Sequence, residues 1–339
     1  MVPAYLLNAN ENDVVLDMCA APGGKSVQTS FSMKNKGLII ANDLSRPRAV
    51  SILENVERLG IGNIIITSND LSKIYKEFID KFDKIILDAP CSGSGMFRKE
   101  EKMLEDWSYN KVLKYQETQK QLIDIAYEML KPGGTLVYST CSFSYEEDEE
   151  VISYLLSHSD AEIIPLDNIL FYKSKKNSVG VHLLPYIFPG EGHYICLIKK
   201  PGLYVEKENK PQEIRNKYNL PFENIFNFAN VLFGINRIIN IKPFNIIRIG
   251  VKIGEDIKGT IKYDYHFAHY LDNFAHEYEL NYEEMKSYFR GESILHKDHI
   301  GYILIKYKGI SVDLAKGDGR IIKNHLPKHL KTTYNHIFE

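Results

Sequence analysis

The chain has 339 residues, of which 44% are hydrophobic and 25% are charged, and its formal net charge at pH 7 is -2. This ordinary globular composition excludes a wholly disordered or collagen-like chain, and the charge excludes a uniformly basic, histone-like protein. Four cysteines are too few for a disulfide scaffold. No apolar run approaches the ~20 residues of a membrane span, and Met1–Asn10 lacks the features of a secretory signal. We therefore expect a cytoplasmic protein that does not contact a membrane.

The first part of the chain alternates short apolar runs with longer amphipathic segments. In chain order, the pattern predicts strand Val14–Met18, a helix from about Lys25, strand Leu38–Ala41, helix Pro47–Leu59, strands Asn63–Thr67 and Lys84–Leu87, helices within Glu100–Leu130, a turn at Lys131–Gly134, strand Thr135–Ser139, helix Glu146–Leu156 and strand Gly192–Lys199. This alternation is typical of an α/β fold with a doubly wound parallel sheet, in which ligands bind outside the carboxyl ends of the strands.

The rest of the chain differs in character. Residues 199–211 are rich in Lys, Pro, Gly and Glu, which predicts a linker. Beyond it, strand-like runs at Asn245–Ile253 and Gly301–Tyr307 indicate one or two small α+β or β-rich modules. Residues 297–339 carry eight Lys and Arg against four acidic residues, an excess that suits either contact with nucleic acid phosphates or a solvated face.

A glycine-rich motif follows the first predicted strand. It is the sequence DMCAAPGGKS at Asp17–Ser26, and its small residues let a ligand approach the backbone at the start of a helix. An ordinary glycine turn is the alternative. Asp43 and Asp70 follow the next two strands; an acidic residue there accepts hydrogen bonds from nucleoside ribose in many sheets, or simply caps a helix.

Two cysteine motifs end neighbouring strands. They are DAPCSGSG at Asp88–Gly95 and STCS at Ser139–Ser142. A free intracellular cysteine is most often a small core residue, but two at the ligand-binding edge favour nucleophiles. Neither belongs to a Cys-x-x-Cys pair and the histidines are dispersed, so we expect no metal site. Three of the five acids at Glu146–Glu150 are expected to favour a helix amino terminus.

These motifs together resemble the NOL1/NOP2/Sun family of S-adenosylmethionine-dependent RNA cytosine-C5 methyltransferases. The resemblance covers about residues 1–200 and rests on DMCAAPGGKS, on Asn42-Asp43 with Arg46 and Arg48, on DAPCSGSGMFRK, on LKPGGTLVYSTCSFSYEEDEEVI and on GEGHYICLIKK. Residues 301–327 resemble the small PUA-like carboxy-terminal domain of a bacterial 16S rRNA branch. The resemblance implies a Rossmann-like catalytic domain followed by α+β and PUA-like modules.

The resemblance also implies roles for particular residues. Carbon 5 of cytosine is a poor nucleophile until a thiolate adds at carbon 6. In this family the attacking cysteine is the one of the Thr-Cys motif, here Cys141, and Cys91 is implicated in product release. Asp88 is expected to act on the ring as a general acid, which requires a raised pKa or a proton shared with the base, and Lys25 is expected beside it.

The expected cofactor is S-adenosylmethionine, without a metal. Its methionine and ribose part is assigned to the loop Cys19, Ala20, Ala21, Pro22, Gly23, Gly24 and Lys25. Asp43 is assigned to the ribose hydroxyls, Asp70 to the adenine amine and Asp88 to the methyl-donor end, and Arg48 is also expected to contact the cofactor.

The expected domains are residues 1–200 (catalytic), 205–282 (an intermediate module) and 283–339 (PUA-like, RNA-binding). Family members usually carry an amino-terminal RNA-binding region, and Met1–Leu7 resembles its last part, so we expect that region to be missing here. The expected partner of this monomer is RNA, 16S rRNA first. A tRNA-directed enzyme and a non-catalytic RNA-binding or assembly factor are the alternatives.

Overall fold

The computed structural model describes residues 1–174, 179–204, 218, 220–328, 330 and 331. The chain divides into two compact units, and each is built from separate stretches of sequence. One comprises Met1–Leu53, Ile64–Gln212 and Arg237–Arg248, and the other comprises Glu54–Asn63, Glu213–Asn236 and Ile249–Glu339. Among the helices of the described residues, none combines the length and the apolar character that crossing a membrane requires.

The helices and strands alternate through the first unit and become strand-rich in the second. The helices are α1 (Val2–Leu7), α2 (Gly24–Ser32), α3 (Arg46–Arg58), α4 (Leu71–Ile74), α5 (Lys102–Asp106), α6 (Tyr109–Met129), α7 (Glu149–His158), α8 (Tyr265–Tyr270) and α9 (Tyr282–Phe289). The strands are β1 (Val14–Asp17), β2 (Leu38–Asn42), β3 (Ile64–Thr67), β4 (Phe82–Asp88), β5 (Leu130–Thr140), β6 (Glu162–Ile164), β7 (Val181–Leu183), β8 (His193–Lys199), β9 (Asn224–Phe228), β10 (Val231–Ile235), β11 (Ile246–Ile249), β12 (Val251–Ile257), β13 (Thr260–Tyr263), β14 (Glu277–Glu279), β15 (Ile294–Leu295), β16 (Ile300–Tyr307), β17 (Ile310–Asp318) and β18 (Ile321–Lys323).

A nine-stranded sheet organises the first unit, in the order β11-β3-β2-β1-β4-β5-β8-β6 with β7 on β8. Strands β1 to β5 pair in parallel, which confirms the predicted Rossmann-like α/β fold. The predicted strand at Gly192–Lys199 is β8, but it runs antiparallel to β5. The strand order reverses between β1 and β4, so the carboxyl ends of these two strands border the crevice where such sheets bind ligands.

The parallel strands form because their sequences are almost wholly apolar. All residues of β1, β2 and β3 are buried, as expected of strands covered on both faces. The longest covering helix is α6, whose buried side chains recur at helical spacing, for example at Val112, Ile123, Ala126 and Met129. Ser108 caps this helix by accepting a hydrogen bond from the backbone N–H of Lys111.

Two boundaries in the first unit differ from the sequence prediction. The predicted turn at Lys131–Gly134 is part of β5, where Gly133 has a φ of 80° and the pairing with β4 shifts register. A β-bulge thus absorbs the glycines that suggested a turn. The helix predicted at Glu146–Leu156 begins only at Glu149, because the side chains of Glu147 and Asp148 accept hydrogen bonds from the ends of neighbouring strands.

The second unit contains two smaller sheets, in the orders β13-β12-β10-β9 and β14-β16-β17-β18-β15. These sheets confirm the predicted α+β character of the carboxy-terminal part. Strands β16 and β17 form a hairpin with Lys308 and Gly309 both at positive φ, the geometry of a tight two-residue turn. The predicted module boundary at residue 205 and most of the predicted linker lie outside the described residues, as does the end of the chain from residue 332.

The run Asn245–Ile253, predicted as one strand, forms two. Strand β11 joins the edge of the large sheet beside β3, whereas β12 belongs to the four-stranded sheet of the second unit. Gly250 lies between them with a φ of 48°, and a Cβ atom there would lie 2.1 Å from the carbonyl oxygen of Gly234. Only glycine fits this position without a shift of the backbone.

We predict that Gly250→Ala lowers the free energy of unfolding by about 3 kcal/mol. The cost of a left-handed backbone for alanine and the cost of the clash with the carbonyl of Gly234 add together. Gly309→Ala is the matched control, since Gly309 has a φ of 74° but a Cβ atom added there would meet nothing within 4 Å beyond its chain neighbours. Its expected cost is about 1 kcal/mol. Chemical unfolding of both variants tests this, and equal losses would show that the clash is relieved.

Candidate active site

The carboxyl ends of β1, β4 and β5 bring three of the sequence motifs together. The Cys19–Lys25 loop follows β1, Asp88 ends β4, and Thr140 ends β5 just before Cys141. Because these strands are neighbours in a parallel sheet, their carboxyl ends meet at one edge. Direct contact follows: the Nζ atom of Lys25 lies 2.6 Å from Oδ2 of Asp88.

Asp88 is a partly buried carboxylate with two strong donors. Besides Lys25, the hydroxyl of Ser139 donates a hydrogen bond of 2.6 Å to Oδ1 of Asp88. Burial is the largest single effect and would raise the pKa of Asp88. The Lys25 ammonium, His193 and the hydrogen bonds from Lys25 and Ser139 together outweigh it and hold this pKa below its usual value. The protein alone therefore keeps Asp88 ionised. Of the two conditions for a general-acid role, the raised pKa is not met and only a proton shared with the base remains.

The two cysteines of the sequence motifs are in contact. The Sγ atoms of Cys91 and Cys141 lie 3.1 Å apart, and both thiols are free. The hydrogen bond from Cys91 stabilises the thiolate of Cys141 and lowers the pKa of Cys141, against the opposing effect of burial. The same contact and burial raise the pKa of Cys91. Cys141 is thus the thiol that ionises first, while Cys91 keeps its proton.

Glu147 joins the turns that carry these cysteines, a role that the sequence analysis missed. Its side chain is fully buried. Oε1 accepts hydrogen bonds from the backbone N–H of Ser92 at 2.8 Å and from Nε2 of Gln119 at 3.1 Å. Oε2 accepts from the hydroxyl of Ser142 at 2.7 Å and from the hydroxyl of Ser92. One carboxylate therefore fixes the residue after Cys91 and the residue after Cys141.

The next two acids are also buried. Glu149 and Glu150 lie in the first turn of α7, as expected of acids that favour a helix amino terminus, whereas Glu147 and Asp148 serve as buried hydrogen-bond acceptors. Asp148 accepts a hydrogen bond of 2.6 Å from the hydroxyl of Thr140, and Glu149 lies 3.0 Å from Nε2 of His182. Burial raises the pKa of Asp148 well above its usual value. The fold also brings His182, distant in sequence, to two carboxylates, with potential ligand atoms within 4.8 Å of one another. Sequence spacing could not have shown this cluster.

The loop after β1 is held by hydrogen bonds to its own strand and to β2. The hydroxyl of Ser26 donates a hydrogen bond of 2.6 Å to Oδ2 of the fully buried Asp17. Burial raises the pKa of Asp17 to about 7. Asn42, at the end of β2, accepts from the hydroxyl of Thr67 and donates to the carbonyl of Met18. Asn42 thereby ties together the ends of β1, β2 and β3, another role that the sequence analysis did not assign.

Asp43 and Arg48 lie together beside this loop. Oδ1 of Asp43 accepts from the backbone N–H of Ser45, while Arg48 lies 3.4 Å from Oδ2 and donates to the carbonyl of Ala21. Asp43 is almost fully buried, and its Oδ2 has no hydrogen-bond partner among the described residues. A buried acceptor of this kind suits the hydroxyl donors of a ribose, so these residues fit a nucleoside-containing cofactor.

Asp70, which follows β3, has a structural use. Its carboxylate caps the short helix α4 by accepting from the backbone N–H and the hydroxyl of Ser72, at 3.2 and 2.6 Å. The Ser72 hydroxyl is the main reason that the pKa of Asp70 lies below its usual value. The capping alternative of the sequence analysis is therefore realised, and the contact with adenine stays a prediction.

Known proteins are similar to this chain in sequence and in fold. The family described as 16S rRNA methyltransferase RsmB/F matches residues 4–199, and that of the methyltransferase RsmF PUA domain matches residues 275–331. Two curated relatives are named ribosomal RNA small subunit methyltransferase F. The one from Shewanella piezotolerans is 32% identical over 97% of this chain and 76% of its own length, and the one from Psychromonas ingrahamii is 30% identical over 96% and 75%.

Two solved structures from Pyrococcus horikoshii are also similar. NSun6, solved with an S-adenosylmethionine analogue, has a TM-score of 0.54 and 32% identity, over 59% of this chain and 50% of that chain. A methyltransferase homolog protein has a TM-score of 0.50 and 35% identity, over 58% of this chain and 65% of that chain.

We predict that Glu147→Gln lowers the free energy of unfolding by about 2 kcal/mol, because the new amide N–H groups face donors. It also loosens the contact of Cys91 with Cys141, so the pKa of Cys141 rises and its alkylation by iodoacetamide shifts to higher pH. Glu150→Gln is the control: its side chain is 43% exposed, and its distance to Lys120 is 3.6 Å. If both variants alkylate with the wild-type pH profile, Glu147 does not set the cysteine geometry.

Proposed function

Because the chain belongs to the 16S rRNA methyltransferase RsmB/F family and is an S-adenosylmethionine-dependent rRNA methyltransferase, we propose that it methylates carbon 5 of a cytosine in small-subunit rRNA. The reaction proceeds through a covalent bond between Sγ of Cys141 and carbon 6 of the base. The observation that carries this proposal is the contact of the two thiols, 3.1 Å apart, beside the pair of Lys25 and Asp88. A methyltransferase acting on an oxygen or nitrogen nucleophile has no use for such a pair of thiols.

Cys141 is the nucleophile in this proposal. Its lowered pKa supplies the thiolate that adds to carbon 6, and addition makes carbon 5 reactive enough to accept a methyl group. Cys91 keeps its proton through this step, because burial and the contact with Cys141 raise its pKa. After methyl transfer, water takes up the carbon-5 proton and the bond between carbon 6 and Sγ of Cys141 breaks. Cys91 assists this release by donating its proton to the departing thiolate of Cys141.

Lys25 and Asp88 hold and polarise the base. Their ion pair is partly buried, with side chains 18% and 30% exposed, so its charges act at reduced dielectric screening. Asp88 binds N3 of the pyrimidine ring through one shared proton, which is taken up from solvent when the base binds, and N3 holds this proton as the thiolate adds. Lys25 stabilises the ionised Asp88 and, on the thiol side, lowers the pKa of Cys141.

The cofactor lies along the carboxyl ends of β1 and β2 in this proposal. S-adenosylmethionine supplies an electrophilic methyl group on a sulfonium ion. Residues 19–25 would hold its methionine and ribose part. Asp43 would accept from the ribose hydroxyls through Oδ2, which has no hydrogen bond from the described residues, while Arg48 holds Asp43 in place. Asp70 is proposed to contact the adenine amine. These steps use only protein groups, water and the methyl donor; a metal-independent reaction and a monomeric enzyme stay predictions.

The division of labour along the chain is also proposed. Residues 1–200 form the catalytic domain, residues 205–282 form an intermediate module, and residues 283–339 form a PUA-like module that binds RNA. The target cytosine must leave its stack to reach Cys141, so the enzyme acts on unstacked or flexible RNA.

We predict that Cys141→Ala abolishes methylation while S-adenosylmethionine binding, measured by calorimetry, stays within a factor of about three, since the thiol is not needed to hold the cofactor. Bisulfite sequencing of rRNA and tRNA from a deletion strain complemented with each variant reports the target. Wild-type signal in tRNA alone would replace rRNA as the substrate, and methylation by Cys141→Ala would refute the nucleophile.

We predict that Cys91→Ala retains the first covalent step but releases product slowly, because the proton donor for elimination is lost. Denaturing gels with 16S rRNA should then show a slow-migrating protein–RNA species. The species should be absent from the wild type and from a variant that lacks both cysteines. Cys91→Ala with wild-type turnover and no trapped species would rule out the release role.

A further inference from the structure

His193 lies at the start of β8, and the proposed mechanism leaves it without a role. Strand β8 pairs antiparallel with β5, and Tyr194 is opposite Thr140. One further step of the same register places His193 beside Cys141. Gly95 fixes this approach, because its N–H donates to the carbonyl of Cys141 and its carbonyl accepts from the N–H of Gly192. The backbone thus holds His193 against the base-binding side of the site.

One ring nitrogen of His193, Nε2, is shielded from solvent and has no hydrogen-bond partner among the described residues. Oδ1 of Asp88 lies 3.6 Å from Nε2, too far for a hydrogen bond. Burial lowers the pKa of His193 to about 4, so the ring is neutral at pH 7, and its contact with the Gly192 backbone accounts for the ring N–H. Nε2 therefore carries a lone pair.

Oδ1 of Asp88 and Nε2 of His193 are thus two acceptors that lie 3.6 Å apart. Asp88 is ionised and Nε2 of His193 carries a lone pair, so neither can satisfy the other. A group with two N–H donors that lies against both atoms from the open side could donate to each of them, whereas a carbonyl oxygen would be repelled. The exocyclic amine of cytosine is such a group, and uracil carries a carbonyl at the same ring position.

We propose that Nε2 of His193 accepts a hydrogen bond from the 4-amino group of the target cytosine, beside Asp88, and so distinguishes cytosine from uracil. This inference rests on the proposed function. A site built to hydrogen-bond a donor discriminates against bases that lack it, because its buried acceptor is then left unpaired. His193 is a specificity-determining residue here, and Asp88 retains its role toward the ring.

The test combines a change in the enzyme with a change in the base. The substrates are the rRNA segment mapped by bisulfite sequencing, carrying at the target position either cytidine or the 2-pyrimidinone nucleoside that lacks the amine. Methyl transfer from labelled S-adenosylmethionine gives kcat/KM for the wild type, for His193→Phe and for His193→Gln. Phenylalanine retains a planar ring without an acceptor, and glutamine retains an acceptor.

In the wild type, removing the amine should lower kcat/KM about 10- to 100-fold, as expected for one buried hydrogen bond. In His193→Phe the same change should cost less than about threefold, and His193→Gln should restore most of the preference. An equal loss for both bases in His193→Phe, or an unchanged preference, overturns the inference. A wild type that forms no 5-methylcytidine in any RNA refutes the proposed function itself, and the inference with it.

Discussion

The buried carboxylate of Glu147 is the interaction on which the rest of the site depends. Removing a carboxylate from water is costly, and the cost is offset only when donors surround the charge. Ser92, Gln119 and Ser142 provide four such donors from the turns after β4 and β5 and from α6. The charge can be satisfied only when these three elements are in register, so the position of the two thiols follows from a folding requirement.

The site divides at the point where the strand order reverses. The ends of β1 and β2 present acceptors and small residues suited to a nucleoside, while the ends of β4 and β5 present thiols and a carboxylate. Lys25 joins the two halves, because it belongs to the loop after β1 but forms its ion pair with Asp88 at the end of β4. A change that moves Lys25 in the loop after β1 therefore also changes the electrostatic environment of Asp88 at the end of β4.

The sequence predicted the parts of the fold that depend on local pattern. The strands β1 to β5 could be predicted from their apolar runs, because strands covered on both faces are almost continuously apolar in sequence. The antiparallel direction of β8 could not be predicted, since the run Gly192–Lys199 looks the same in either direction. The division of Asn245–Ile253 into two strands could not be predicted for another reason. The need for glycine at Gly250 comes from its close approach to Gly234, which is a tertiary contact.

The candidate site shows the same contrast. The motif cysteines and Asp88 meet as predicted, because neighbouring parallel strands end at one edge. Apart from Ser142, the partners of the Glu147 carboxylate and the Asp88 neighbour of His193 lie 28 to 105 residues away in sequence, where no spacing rule operates. Acidic residues in a row favour a solvated helix end on propensity alone, and only the tertiary donors decide that Glu147 is buried.

Strand β11 has a consequence for how the protein is made. It completes the edge of the large sheet with residues that follow the first hairpin of the second unit, β9 and β10. During synthesis the chain emerges from its amino terminus, so β1 to β8 are available well before β11. The edge of β3 therefore remains unpaired until residue 249 has left the ribosome, an exposed strand edge of the kind that promotes association between nascent chains. The two units are interleaved in time as well as in sequence, and no single cut of the chain separates them.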